Sequence, residues 1–351
     1  LDVYGHSLTL DSDYFDNAVL GDFSLKSITA YRETDRDSIG ELDGTPVAVT
    51  YFDTADESLE QFTQEFQLIG NTYDERLDYV LGLYWFEEEG DLESYNRTLD
   101  FTVTGDNAPL NEIYSLVGVE NEAWAVYSQA SLADIFTEGL SLTLGLRYTD
   151  ETRGMSLDKR ELRAGAPAIG GCDPGAPGFD PSGCLTFDID EEEDYDNVSW
   201  ETNLKYQWSD DLMSYLRVST GYQSGGYNGR ASTLDAAVVP FDEEESIQYE
   251  LGAKSTLWQQ RMTLNVAVFY TETDDLQLPV FPPDSDSPNV GTVVENAGES
   301  HSYGAELEMQ ALLTPDLETY FNFAWFEGEY DEYVIGELWA RVDASWQDDI
   351  L

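Results

Sequence analysis

The side chains best suited to recognising a small polar solute stand in GYQSGGYN at residues 221–228. Three glycines there free the backbone to bend, and Tyr222, Gln223, Tyr227 and Asn228 offer two rings for stacking and two amides for hydrogen bonding. Such a set suits the lining of a substrate vestibule, and it equally suits a loop that must shape itself. Cys172 and Cys184 lie inside GGCDPGAPGFDPSGC. Their closeness fits a small disulfide-closed loop in an oxidising compartment, with two free thiols as the alternative. A zinc site would need more ligands, and His6 and His301 are far away in sequence. DIDEEEDYD at 188–196 gathers carboxylates without the glycine and spacing of an EF-hand, so it reads as a solvated loop. No G-x-S-x-G, H-E-x-x-H, P-loop or G-x-G-x-x-G run occurs, and the residues call for no catalytic centre, metal or cofactor.

Charge narrows the partners. The 351 residues carry 16 Lys+Arg against 71 Asp+Glu, a formal net charge of -55. A surface of that sign repels a phosphate backbone, which argues against nucleic acid as a partner. Acidic chains are often disordered, but disorder goes with few aromatics, and here they make up 13%. The charge therefore reads as a solvated acidic exterior, suited to a saline habitat. No run of about 18 apolar residues is available for a membrane helix. The opening LDVYGHSLTL lacks the basic stretch and apolar core of a signal peptide.

What positions the candidate residues is a series of period-two segments. In LSLTLGLRY at 140–148, Leu140, Leu142, Leu144, Leu146 and Tyr148 fall on one face, with Ser141, Thr143, Gly145 and Arg147 on the other. MTLNVAVFY at 262–270, LETYFNFAWF at 317–326 and YGAELEMQA at 303–311 divide similarly, the last setting Tyr303, Leu307 and Met309 against Glu306 and Glu308. Comparable runs near 1–10, 22–32, 62–70, 77–86, 121–132, 197–208, 212–222 and 246–257 bring the expectation to about twelve strands. Each is near the ten residues that a tilted strand needs to cross a bilayer. A half-buried soluble sheet and a membrane barrel would both show this pattern.

The connections separate the two. Long segments near 33–61, 87–120, 150–196, 223–245 and 273–300 alternate with short ones at 70–76, 133–139, 209–211, 258–261 and 314–316. Every short turn then lies at one end of an antiparallel meander and every long loop at the other, as in outer-membrane barrels. A Greek-key sandwich has no reason to keep that rule. Lipid is then expected on the Tyr303/Leu307/Met309 face and water on the other. The water face would carry Arg147, Arg217, Lys254, Glu306 and Glu308 as lumen-facing charges. Tyr84, Trp85, Tyr148, Trp208, Tyr222, Trp258, Tyr270 and Trp325, near strand ends, fit interfacial girdles.

Six segments in order resemble the barrel of TonB-dependent outer-membrane receptors: FSLKSITAYRETD at 23–35, LDYVLGLYWFEEE at 77–89, LSLTLGLRYTDE at 140–151, YLRVSTGYQSGGYNGR at 215–230, ESIQYELGAKSTLWQQRMTLNVAVFYTETDDLQ at 245–277 and NAGESHSYGAELEMQALLTPDLETYFNFAW at 296–325. The resemblance implies an all-β, up-and-down transmembrane barrel of 22 strands in a Gram-negative outer membrane, plugged by an N-terminal domain. It also implies uptake of a scarce solute (an iron chelate, vitamin or oligosaccharide), energised by a TonB-type partner acting through the plug. Residues 1–351 match the middle of such a barrel, so plug and final strands are expected outside this chain. GELWARVDASWQDDIL at its end offers one more weak strand. The alternatives are a passive porin-like channel and a soluble secreted acidic β-protein that binds carbohydrate.

Overall fold

The computed structural model describes residues 1–41, 50–99, 110–162, 184–231, 234–280 and 293–333. Nearly all of them are strand. In chain order these are β1 (Asp2–Asp11), β2 (Phe15–Asn17), β3 (Gly21–Glu41), β4 (Thr50–Thr72), β5 (Leu77–Leu99), β6 (Leu110–Leu132), β7 (Leu140–Leu162), β8 (Cys184–Ser209) and β9 (Leu212–Gln223). A short helix α1 (Leu234–Val238) precedes β10 (Glu244–Leu257), β11 (Met262–Asp274), β12 (Gln277–Val280), β13 (Val293–Asn296), β14 (Gly298–Thr314) and β15 (Leu317–Tyr333).

Thirteen strands form one antiparallel meander in which each main strand pairs with its neighbours in sequence, β2 sitting beside β3. β12 and β13 leave this path and pair as a separate hairpin. Among the described residues β1 and β15 are not paired to each other, so the sheet is open along those two edges.

Direct cross-strand partners share a face, so the register alone shows how the faces differ. One row runs Leu142, Leu204, Leu216, Leu251, Val268, Ala305, Trp325 across seven strands. The adjoining row on the other face runs Asn203, Arg217, Glu250, Phe269, Gly304, Phe326. Among the described residues nothing packs over the apolar face: Leu216, Leu251 and Val268 are 49%, 56% and 50% exposed. A sheet in water would not leave an apolar belt of this extent uncovered.

Strand length departs from the expectation. β3 to β8 run 21 to 26 residues, about twice what a bilayer crossing needs. Most of the segments expected as long loops at 33–61, 87–120 and 150–196 are continuations of these strands. DIDEEEDYD, expected as a loop, lies within β8 and pairs with Asp150–Asp158 of β7. On β5 the belt ends at Trp85, and the outward positions beyond it are Glu87, Glu89, Asp91 and Glu93. With water rather than lipid on the outward face there, nothing selects apolar residues on it, and the alternation disappears from the sequence.

The short turns lie together at the opposite end, as the alternation requires. Two share a construction. Tyr73, Asp74 and Glu75 take left-handed φ values of 59°, 56° and 64°, and Trp258, Gln259 and Gln260 take 53°, 58° and 68°. An arginine follows each triplet. Arg76 donates to the carbonyls of Ala133 and Asp134, and Arg261 donates to those of Leu312 and Leu313 at 2.7 and 2.9 Å. Each left-handed non-glycine residue costs roughly 1–2 kcal/mol, and the arginine clamps offset part of that by tying the turn to the next strand pair.

Cys172 and the terminal segment GELWARVDASWQDDIL lie outside the described residues. Cys184 opens β8 opposite Leu162, and the expected disulfide belongs with its undescribed partner.

Candidate functional site

The polar face gathers the five expected charges. Arg147 is paired in register with Ser199, and Arg217 with Asn203 and Glu250. Lys254 and Glu308 both flank Asn265, and Glu306 faces Ala267. Arg217 bonds Glu201 through Nε at 2.8 Å and Nη2 at 2.5 Å. Arg147 has no carboxylate in salt-bridge range among the described residues. Its guanidinium carbon lies 5.4 Å from the Tyr84 ring centre and 5.8 Å from that of Tyr127, and Nε donates to Thr149 at 2.9 Å. Asn265 donates to Glu308 at 3.3 Å, while Lys254 and Glu306 have no ion pair among the described residues. Arg147, Glu201, Arg217, Glu65 and Tyr127 share the wall of a cavity of about 390 Å³.

Beyond the belt a second construction rests on the same face. Met155 and Leu157 of β7, with Val117 and Ile189 beside them, form an apolar patch at the far end of the strands. Ala231 and Ala237 of the β9–β10 loop, and Val280, Val293 and Ala297 around the β12–β13 hairpin, close over it. Lys159 is buried there, 6% exposed, and donates to the carbonyl of Ala231. Tyr195, 6% exposed, donates to the carbonyl of Phe241 at 3.0 Å.

GYQSGGYN falls in this construction. The Asn228 side chain grips the backbone of one residue on both sides, accepting from Val294 N–H at 2.7 Å and donating to Val294 C=O at 3.1 Å. Gln223 donates to the side-chain carbonyl of Gln277 at 2.9 Å. Both amides are thus engaged within the protein. Tyr227 packs against the apolar patch, and burial together with the carboxylates Glu193, Glu191 and Glu192 raises its phenol. Tyr222 lies near Glu151, a carboxylate only 8% exposed that Arg153 pairs at 2.6 Å. Burial first, then Glu151, pushes the Tyr222 phenol far up. None of these tyrosines ionises near neutral pH, so they offer rings and neutral hydroxyls.

Three residues of this construction carry no candidate role in the sequence reading: Gln277, Asn296 and Lys159. Gln277 donates to the carbonyls of Ser224 and Asp242, each at 3.0 Å. Asn296 accepts from Asp242 N–H at 2.7 Å and donates to the carbonyls of Asp242 and Asp275 at 2.9 and 2.8 Å. The available signal was NAG at 296–298, a polar amide and a glycine immediately before a strand.

An open meander with a bare apolar belt, short turns at one end, and a polar face that carries folded loops is the wall of a transmembrane β-barrel of the outer-membrane kind. The chain belongs to the TonB dependent receptor-like, beta-barrel family, whose description covers residues 2–347. The pesticin receptor of Yersinia pestis is 36% identical over 120 residues, 34% of this chain and 16% of that one. Among solved structures, the ferric yersiniabactin uptake receptor from Yersinia pestis has a TM-score of 0.68 at 22% identity, over 93% of this chain and 42% of that chain. A siderophore receptor from Acinetobacter baumannii has a TM-score of 0.63 at 15% identity, over 97% and 49%. Those identities speak for the fold. The chain spans less than half the length of these solved relatives. Its family is one of transport receptors, and its place is the outer membrane.

Proposed function

We propose that this chain forms the central wall of an outer-membrane receptor that captures a ferric chelate at the cell surface and admits it by TonB-energised transport. The carrying observation is the division of the sheet, over a stretch that the family description covers almost end to end, into an apolar belt and a charged face. Lipid covers the Leu216/Leu251/Val268 side. The Arg147, Arg217, Lys254, Glu306 and Glu308 side borders the lumen, where a plug and the passing solute would meet it. The names of the similar proteins favour iron chelates over vitamins or glycans: one is a ferric yersiniabactin uptake receptor, another a siderophore receptor, a third a ferric citrate transporter. In this reading no bond of the solute is made or broken, so the chain is not an enzyme. Tyr222 and Tyr227 shape the vestibule and present rings to it, and Gln223 and Asn228 hold its loops in place.

The test is binding by the purified full-length receptor in detergent, followed by tryptophan fluorescence, against ferric catecholate, ferric hydroxamate, ferric citrate and a neutral oligosaccharide. Saturable quenching by one ferric class and none by the oligosaccharide is expected. Saturation by the oligosaccharide alone would move the function to glycan import.

A further inference from the structure

Two loops of this wall are locked by asparagines placed reciprocally. The first is the β9–β10 loop, described at residues 224–231 and 234–243 and including α1. The second carries the β12–β13 hairpin between β11 and β14. Asn228 of the first loop holds both the N–H and the C=O of Val294 in the second, at 2.7 and 3.1 Å. Asn296 of the second holds Asp242 of the first at its N–H and C=O, at 2.7 and 2.9 Å. An amide side chain has one acceptor and one donor end, so each grip satisfies a backbone N–H and a backbone C=O together. Gln277 and the Glu244 carboxylate add bonds at the base of the hairpin, including Gln277 N–H to Glu244 at 2.8 Å. Under the clamps, Ala231 and Ala237 of one loop and Val280 and Val293 of the other share a single apolar cluster. Neither loop can lift away alone without stripping backbone groups of partners and exposing that cluster.

We propose that Asn228 and Asn296 are positioning residues that make residues 224–231 and 234–243 of the first loop, with 277–280 and 293–297 of the second, one cooperative unit over the polar face, so that both detach or neither does. That a solute meets this unit rests on the receptor reading above; the coupling rests on the clamps alone. A solute that touched either loop would then bias both, because a single two-state element connects them. The strands below carry the unit without taking part in its opening, since β9, β10, β11 and β14 stay in continuous register beneath it.

The experiment is hydrogen exchange read by mass spectrometry on the full-length receptor without ligand, comparing the native protein with Asn228→Ala and, separately, Asn296→Ala. Each substitution should accelerate exchange in both 224–243 and 293–296 by about tenfold, leaving 212–219 and 262–270 unchanged. Asn228→Asp keeps the acceptor for Val294 N–H and should recover part of the protection. If Asn228→Ala prevents assembly, Gln277→Ala weakens the same junction from the hairpin side and should give the same paired response. Acceleration confined to the loop that carries the substitution, or no acceleration in either, would overturn the coupling. Because no ligand is present, a failure of the transport reading leaves this result standing, and the reverse also holds.

Discussion

The ring of Tyr215 lies over Gly252, its direct partner across β9 and β10, so closely that a β-carbon at Gly252 would sit 2.5 Å from two ring carbons and from the hydroxyl oxygen. The tyrosine hydroxyl continues to Glu250 at 2.5 Å. The glycine is thus a seat for a ring, and the ring carries a hydrogen bond on the polar face. Gly252→Ala should push Tyr215 off its seat, break the bond to Glu250 and cost about 1–3 kcal/mol. A double-mutant cycle with Tyr215→Ala, read from urea midpoints of the folded barrel in detergent, should show the two changes strongly non-additive. Additive effects would mean that the seat does not matter.

The apolar belt makes a prediction about depth. Leu251 stands mid-belt and exposed, three residues from Lys254 on the opposite face. Leu251→Arg should destabilise the barrel in lipid by roughly 2–4 kcal/mol, while Gln248→Arg, on the polar face, should be tolerated. Unfolding in vesicles rather than in water distinguishes them. Equal tolerance at both positions would mean that lipid does not meet the Leu251 side.

Above the belt, Glu33, Glu60, Glu89 and Glu120 are direct partners in succession across β3 to β6. Like charges placed opposite one another on a sheet are unfavourable by roughly 0.2–1 kcal/mol per pair. Glu89→Gln removes two such contacts. It should raise stability in dilute buffer and make almost no difference at about 1 M salt, where screening acts within about 3 Å. Urea midpoints at the two ionic strengths measure this, and an equal gain at both would point to another cause.

His301 lies two residues before Tyr303 on the same face of β14, outside the lipid belt. Its Nδ1 is 2.8 Å from Asp331, and Glu329 lies 3.8 Å from Nε2. Glu272 is its register partner on β11, and the Tyr270 and Tyr303 rings flank it. The hydrogen bond to Asp331 leads in raising its pKa above the ordinary value of 6.5. A raised pKa stabilises the fold fully below the unfolded value and is lost as pH rises through the folded value. Exchange at 298–302 and 329–333 should therefore quicken, beyond the intrinsic pH effect, as pH climbs from 6 to 9. His301→Gln should abolish that excess, and its persistence in the variant would contradict the role.

Legibility in the sequence followed the solvent. Where lipid meets one face and water the other, as at Leu140–Tyr148 or Met262–Tyr270, period two shows plainly, and the expected strands are there. Where the outward face has left the lipid, as at Glu87–Glu93 of β5, nothing selects apolar residues there, the alternation is lost, and long strands read as long loops. The short turns were legible because their length alone marks them. The loop cluster was half legible: GYQSGGYN stood out for its glycines and polar rings, but its partners Gln277 and Asn296 lie more than fifty residues on. Only the fold shows that Asn228 spends its hydrogen bonds on Val294. The polar-face charges were placed by parity, whereas the choice of Glu201 for Arg217, and of two tyrosine rings for Arg147, depends on side-chain geometry that no spacing encodes.

The central claim is energised import of a ferric chelate, and radiolabelled iron uptake by iron-starved cells tests it most directly. Cells bearing the full-length gene, cells deleted for it, and bearing cells treated with a protonophore are compared with the chelate that binds best. Saturable uptake that needs the gene and stops with the protonophore is the predicted result. Uptake that rises linearly with concentration and ignores the protonophore would make the barrel a passive channel and contradict the account.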